Sequence, residues 1–144
     1  MNRDNLAAIL DDILLRPDAA EAEILQLCAR ARKAGCKAVC VASRWTELCV
    51  QELHDSGVLV ATVVGFPNGD ASTEEKAHSA CMAREAGAKE IDMVISLGLA
   101  AAGNWEGVKN DIAAVVAAAS PALVKVIIEA GCLKTDQAKI SACL

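Results

Sequence analysis

Two stretches decide the fold: Glu90-Ile91-Asp92-Met93-Val94-Ile95-Ser96 (EIDMVIS, 90–96) and Ala122-Leu123-Val124-Lys125-Val126-Ile127-Ile128-Glu129 (ALVKVIIE, 122–129). Each is a short apolar run, rich in β-branched residues, with an ionisable residue set inside it. Side chains alternate along a strand, so Asp92 shares a face with Glu90, Val94 and Ser96, opposite Ile91, Met93 and Ile95. Lys125 shares a face with Ile127 and Glu129, opposite Val124, Val126 and Ile128. If helices cover the purely apolar faces, Asp92 and Lys125 point together into the interior of a closed or closing sheet.

Outward from these runs the periodicity alternates between strand and helix. A first strand is expected over 8–15, broken by Arg16-Pro17-Asp18. Asp18 and Glu21 form a capping box for a helix with Ile24, Leu27, Cys28 and Ala31 on one stripe, ending at Gly35. KAVCVA (37–42) is the second strand, and Ser43 or Thr46 opens a helix that stops near Gly57. Residues 58–64 make the third strand, followed by the turn GFPNGD (65–70) and a capping box at Ser72 and Glu75. The helix after it presents Ala77, Ala80 and Cys81 and ends at Gly87. The fourth strand is read as 90–97, the next helix as 104–119, the fifth strand as 123–129, and Thr135 caps a last helix.

Strict alternation implies right-handed crossovers and a parallel sheet. The expected fold class is α/β: one incomplete barrel domain over 1–144, with about five strand–helix units. A doubly wound sheet shares this alternation, but no GxGxxG follows any strand, which argues against dinucleotide binding. Eight units need ~200–250 residues, so roughly three units are expected to lie outside this sequence.

Composition narrows the function classes. Apolar residues make up 54% of the chain and the net charge is −5 with no basic block, so no nucleic-acid partner is expected. No apolar run approaches the ~20 residues of a membrane span, and the acidic start MNRDNLAAILDD has no signal-peptide pattern. Seven cysteines form no CxxC pair and have no zinc spacing with His54 or His78. They read as reduced thiols of a cytoplasmic protein that uses no metal. His54 and His78, beside charged neighbours in helices, read as surface residues.

A carboxylate and an ammonium on adjacent apolar strands suit an acid–base relay on a carbonyl substrate. A buried ion pair with a purely structural role is the competing reading. Cys40, inward in KAVCVA, reads first as a core filler, and Glu129 sits at the rim of the fifth strand.

The segments LLRPDA (14–19), KAVCVAS (37–43), VATVVGFPNGDASTEEKAHSACMAREAGAKEIDMVISLG (60–98), AAGNW (101–105) and LVKVIIEAG (123–131) closely resemble the deoxyribose-phosphate aldolase family, in order and spacing, from about Asp11 to Gln137. The resemblance implies a TIM (β/α)8 barrel and a class I, Schiff-base aldolase of deoxyribonucleotide catabolism. Such an enzyme reversibly cleaves 2-deoxy-D-ribose 5-phosphate to D-glyceraldehyde 3-phosphate and acetaldehyde, without cofactor or metal. It implies that Asp92 is a proton relay, that Lys125 is an active-site lysine but not the nucleophile, and that Cys40 and Asp11 face the substrate, a small sugar phosphate. The family's Schiff-base lysine lies on a sixth strand in a KTSTG-type motif, which this sequence does not contain. The isolated chain is therefore expected to be inactive. The chain departs from the family at Asp12-Ile13 (usually His-Thr), Ala42-Ser43 (Asn-Pro), Ser96 (Asn) and Ala130 (Thr).

Two further readings stand beside this one. A diverged, non-catalytic half-barrel would assemble with another chain, including a homo-oligomer through open sheet edges. Alternatively, Lys125 itself would be the Schiff-base nucleophile, with its pKa lowered by burial.

Overall fold

Five short strands hydrogen-bond in parallel, in the order β1-β2-β3-β4-β5, in a computed structural model that describes residues 6–144. They are β1 (Asp11–Leu14), β2 (Ala38–Val41), β3 (Leu59–Val64), β4 (Glu90–Val94) and β5 (Leu123–Ile127). Sequential order excludes the doubly wound alternative, which would place β1 between later strands. Residues 1–5, part of the stretch read for a leader peptide, lie outside the described residues.

The helices are α1 (Glu21–Ala34), α2 (Thr46–Glu52), α3 (Thr73–Glu85), α4 (Leu97–Ala101), α5 (Trp105–Ala119) and α6 (Asp136–Cys143), with a 3-10 turn at Ser43–Trp45 before α2. They cover one face of the sheet. The register aligns Val39 with Val60, Val64 with Met93 and Met93 with Val126, and these outward side chains form the core with the helices. Val39, Val41 and Val60 pack with Ile24, Leu27 and Cys28 of α1 and Cys49 of α2. Ile91 and Met93 pack with Ala80 and Ala83 of α3 and Val115 and Ala119 of α5. Burying a side chain such as Ile91 completely contributes about 1.5–3 kcal/mol, so these rows dominate the sheet's stability.

The other face is concave. It holds Ala38, Cys40 and Ala61, flanked by Leu59 and Val63. Towards the two edges of the sheet the cover thins: Ile13 and Leu123 are 56% and 57% exposed.

Several local expectations shift. β1 starts at Asp11, not at residue 8, because Leu6 and Ala7 lie in a helical turn whose carbonyls accept from Ile9 and Leu10. The start of α1 is capped two residues later than the sequence suggested, and by Glu23 alone, since the N-cap Ala20 has no side-chain acceptor. The Ala20 N–H donates to Glu23 Oε2 at 3.0 Å, while Asp18 is paired with Arg16. β4 ends at Val94 because Ser96 already caps α4, accepting from Leu99 N–H. Other signals coincide with the structure. Gly35 ends α1 with φ of 68°, the left-handed geometry a helix stop favours, and the Cys36 N–H bonds back to Ala31 O. Ser72 and Glu75 exchange reciprocal capping bonds at 3.2 and 2.8 Å. Asn104 and Thr135 cap α5 and α6.

The turn after β3 is pressed against the end of β4. Gly69, with φ of 68°, lies so close that a Cβ there would fall 1.8 Å from the Ile95 carbonyl oxygen. Beneath the turn, Lys76 of α3 is fully buried. Its ammonium donates to Asp111 Oδ2 of α5 at 2.7 Å and to the Val94 carbonyl at 3.1 Å, and Thr73 donates to the other Asp111 oxygen at 2.8 Å. The turn, the C-terminal end of β4 and helices α3 and α5 are thus fixed to one another.

Candidate active site

The concave face carries a cluster of charged groups. Asp92 and Lys125 are direct register partners on β4 and β5, and Lys125 Nζ lies 3.2 Å from Asp92 Oδ1. The same ammonium reaches two further carboxylates: Asp11 of β1 at 2.6 Å and Glu90 of β4 at 2.9 Å. Asp11 and Lys125 sit on the two edge strands, so the sheet curls far enough for its edges to meet through one long side chain. Cys40, on β2, donates its thiol hydrogen to Asp92 Oδ2 at 3.5 Å.

The electrostatics follow from this geometry. Burial pulls the Lys125 ammonium towards its neutral form, but hydrogen bonds to Asp11 and Glu90 and the charge of Asp92 outweigh it, and the group is held well above the usual lysine value. Burial, reinforced by the neighbouring Asp92, pushes the Cys40 thiol up to about 12. Asp92 Oδ1 is buried and, although close to Lys125, receives no aligned hydrogen bond. The 3.2 Å contact is an ion pair in distance only, and the oxygen keeps a free acceptor position.

The four residues singled out in the sequence, Asp11, Cys40, Asp92 and Lys125, therefore converge. Asp12, by contrast, points to the helical side and holds Arg30 of α1 through two bonds of 2.7 and 2.9 Å. Glu129 is exposed beyond the end of β5 with φ of 49°. Glu90 joins the cluster and was missed. Period-two alternation put it on the face of Asp92, but only the β4–β5 register brings a cation to it. The GFPNGD turn borders a cleft of about 530 Å3 at the C-terminal ends of β1 to β3, with Leu15, Arg44, Gly65 and Phe66 in its walls. This is the end of the strands where barrel enzymes build their sites.

His54 and His78 are exposed. Among the described residues no group of His, Cys, Asp and Glu side chains is arranged to hold a metal ion. No described helix is long and apolar enough to cross a membrane.

Comparison with known proteins shows what this chain and its fold are similar to. A curated deoxyribose-phosphate aldolase of Clostridium botulinum is 46% identical over 138 residues, covering 96% of this chain and 65% of the relative. The chain thus spans less than two thirds of the length of that relative. Among solved structures, a putative deoxyribose-phosphate aldolase from Coccidioides immitis superposes with a TM-score of 0.88 at 34% identity, over 99% of this chain and 56% of its own. The deoxyribose phosphate aldolase from Aeropyrum pernix, described as a unique tetramer, gives 0.83 at 30% identity, over 98% and 59%. The five strand–helix units are part of the TIM barrel of these aldolases. The family profile itself matches residues 8–141, and the chain belongs to the DeoC/LacD family of aldolases.

Proposed function

We propose that this chain carries the Asp92–Lys125 part of a class I aldolase site acting on 2-deoxy-D-ribose 5-phosphate, in deoxyribonucleotide catabolism in the cytoplasm. On this reading residues 1–144 are one incomplete barrel domain. In the retro-aldol direction the C3 hydroxyl gives up its proton as the C2–C3 bond breaks, and C2 later takes a proton as acetaldehyde forms. Asp92 is the relay for these protons. The observation that carries the proposal is the pairing of Asp92 with Lys125 as register neighbours on the concave face, 3.2 Å apart. The Lys125 ammonium beside it is the counter-charge against which Asp92 takes up and releases the proton. Asp11 and Cys40 bound the substrate's space, and the substrate is a small sugar phosphate, with no cofactor. The amine that forms the Schiff base is supplied by a KTSTG-type segment, so the 144-residue chain alone is inactive.

The test joins this chain to the C-terminal third of the C. botulinum relative and measures release of glyceraldehyde 3-phosphate in a coupled assay. Turnover is expected in the chimera, and Asp92→Asn should lower kcat by about 10²–10⁴-fold, the range of a lost general acid–base group. A folded Asp92→Asn chimera with undiminished kcat would refute the assignment. Turnover by the isolated chain, abolished by Lys125→Ala, would instead make Lys125 the nucleophile.

The exposure of Ile13 and Leu123 beside the open edges favours one second reading, a non-catalytic half-barrel that assembles with another chain or with its own copies. An inactive chimera, with the isolated chain forming a discrete oligomer in light scattering, would support it.

A further inference from the structure

We propose that Glu90 is a positioning residue for the Asp92–Lys125 pair: its buried carboxylate draws the Lys125 ammonium towards the N-terminal ends of the strands and keeps it a cation, so that Lys125 serves as counter-ion to Asp92 and not as an attacking amine. The inference rests on the assignment of Asp92 and Lys125 made under Proposed function.

Lys125 is the direct neighbour of Asp92 in the sheet, and a lysine there has Asp92 as its nearest partner by register alone. The distances run the other way. Asp11 at 2.6 Å and Glu90 at 2.9 Å are closer to Nζ than Asp92 at 3.2 Å. Glu90 lies two residues before Asp92, on the same face and one step towards the start of β4. The side chain of Lys125 therefore bends away from the C-terminal ends of the strands, and Asp92 Oδ1 is left without an aligned donor.

An amine that attacks a carbonyl must present a free lone pair. Here three carboxylates lie within 3.2 Å of the nitrogen, which favours the fully protonated ammonium. Glu90 is the most buried of the three, with its side chain 4% exposed. A carboxylate so withdrawn from water needs a counter-charge. Lys37, at 3.7 Å from its other oxygen and half exposed, supplies only part of it.

The remaining groups facing Lys125 do not compete for this role. β3 contributes Leu59, Ala61 and Val63, which carry no charge, and β2 contributes Cys40, whose thiol is bound to Asp92. The charged set is Asp11, Lys37, Glu90, Asp92 and Lys125. Among the described residues the Glu90 carboxylate pairs with Lys37 and Lys125, and it therefore acts through Lys125.

The test is competitive reductive methylation of the full 144-residue chain with limiting formaldehyde and cyanoborohydride between pH 8 and 10. Peptide mass spectrometry compares Lys125 with the exposed Lys33 and Lys134. In the wild type Lys125 should be modified sparingly. Glu90→Gln, which keeps the shape and removes the charge, should raise its modification relative to Lys33 by about tenfold, the equivalent of one pKa unit. Glu90→Asp, which keeps the charge but retracts it, should fall between. Iodoacetamide labelling of Cys40 should be unchanged, because the proposed effect is electrostatic. A rise at Lys125 below threefold, or one matched by an equal rise at Cys40, would overturn the proposal. If circular dichroism shows that Glu90→Gln does not fold, Glu90→Asp decides by whether its Lys125 modification exceeds that of the wild type. None of these measurements reads turnover, so failure of the aldolase reading and failure of this one are separable.

Discussion

Replacing Lys76 by Met tests whether the buried pair behind the sheet holds the C-terminal end of β4 in place. Methionine has nearly the length of the lysine stem, so packing against Gly65 changes little, while the charge and two hydrogen bonds disappear. Asp111, 1% exposed, is then left with Thr73 as its partner. Removing one member of such a pair costs about 3–5 kcal/mol, since the remaining charge is uncompensated away from water. Whole-domain stabilities are about 5–15 kcal/mol, so the variant should lose a large fraction of its margin. In thermal terms this is roughly 6–20 °C, taking about 2–4 °C per kcal/mol for a chain near this size. Urea unfolding followed by circular dichroism and by the fluorescence of Trp45 and Trp105 measures it. The double variant Lys76→Met/Asp111→Leu should recover most of the loss, because an apolar pair of similar volume removes the orphaned charge. A single-variant loss below about 1 kcal/mol, or a double variant no better than the single, would refute the argument.

Two further outcomes follow from the geometry. Gly69→Ala should cost at least about 2 kcal/mol in urea unfolding, because a Cβ would sit 1.8 Å from the Ile95 oxygen at a left-handed backbone position; a loss of less than half that would show slack in the turn. Cys40, its thiol raised to about 12 by burial and by Asp92, should resist alkylation at pH 8 while the exposed Cys132 and Cys143 react, and equal rates would contradict the placement. Because its folded value lies above the ordinary thiol value of 9.0, Cys40 contributes stability that is complete below pH 9.0 and is lost as the pH rises towards about 12. A Cys40→Ser variant should lack that component of the alkaline stability loss.

Alternation along EIDMVIS and ALVKVIIE made the faces of β4 and β5 legible, since period two is a property of the backbone itself. The stops at Gly35 and Gly87 and the caps at Ser72 and Thr135 were legible for the same reason: their chemistry is completed within a few residues. What escaped depends on partners far along the chain. Ala77, Ala80 and Cys81 looked like the inner stripe of α3, whereas the buried residues are Lys76, Ala80 and Ala83. A lysine enters the core only because Asp111, 35 positions away, meets it there. Glu90 was on the right face but had no visible role until β5 paired with β4. The apolar run before Asp11 read as strand because short apolar runs do not distinguish an extended segment from a helical turn.

The contact between Asp11 and Lys125 joins residues 114 positions apart, whereas the strand ladder links each strand only to the next one in the chain. Closing so long a loop in an unstructured chain costs about 4 kcal/mol in entropy, more than an ion pair with a partly exposed lysine returns. The pair is affordable only after the ladders from β1 to β5 have brought its ends together. It therefore belongs to the final stage of folding and acts as a latch whose opening frees the four-residue β1 before the rest of the sheet. Hydrogen exchange should find the slowest amides in β3 and β4, with those of β1 exchanging earlier as salt weakens the latch.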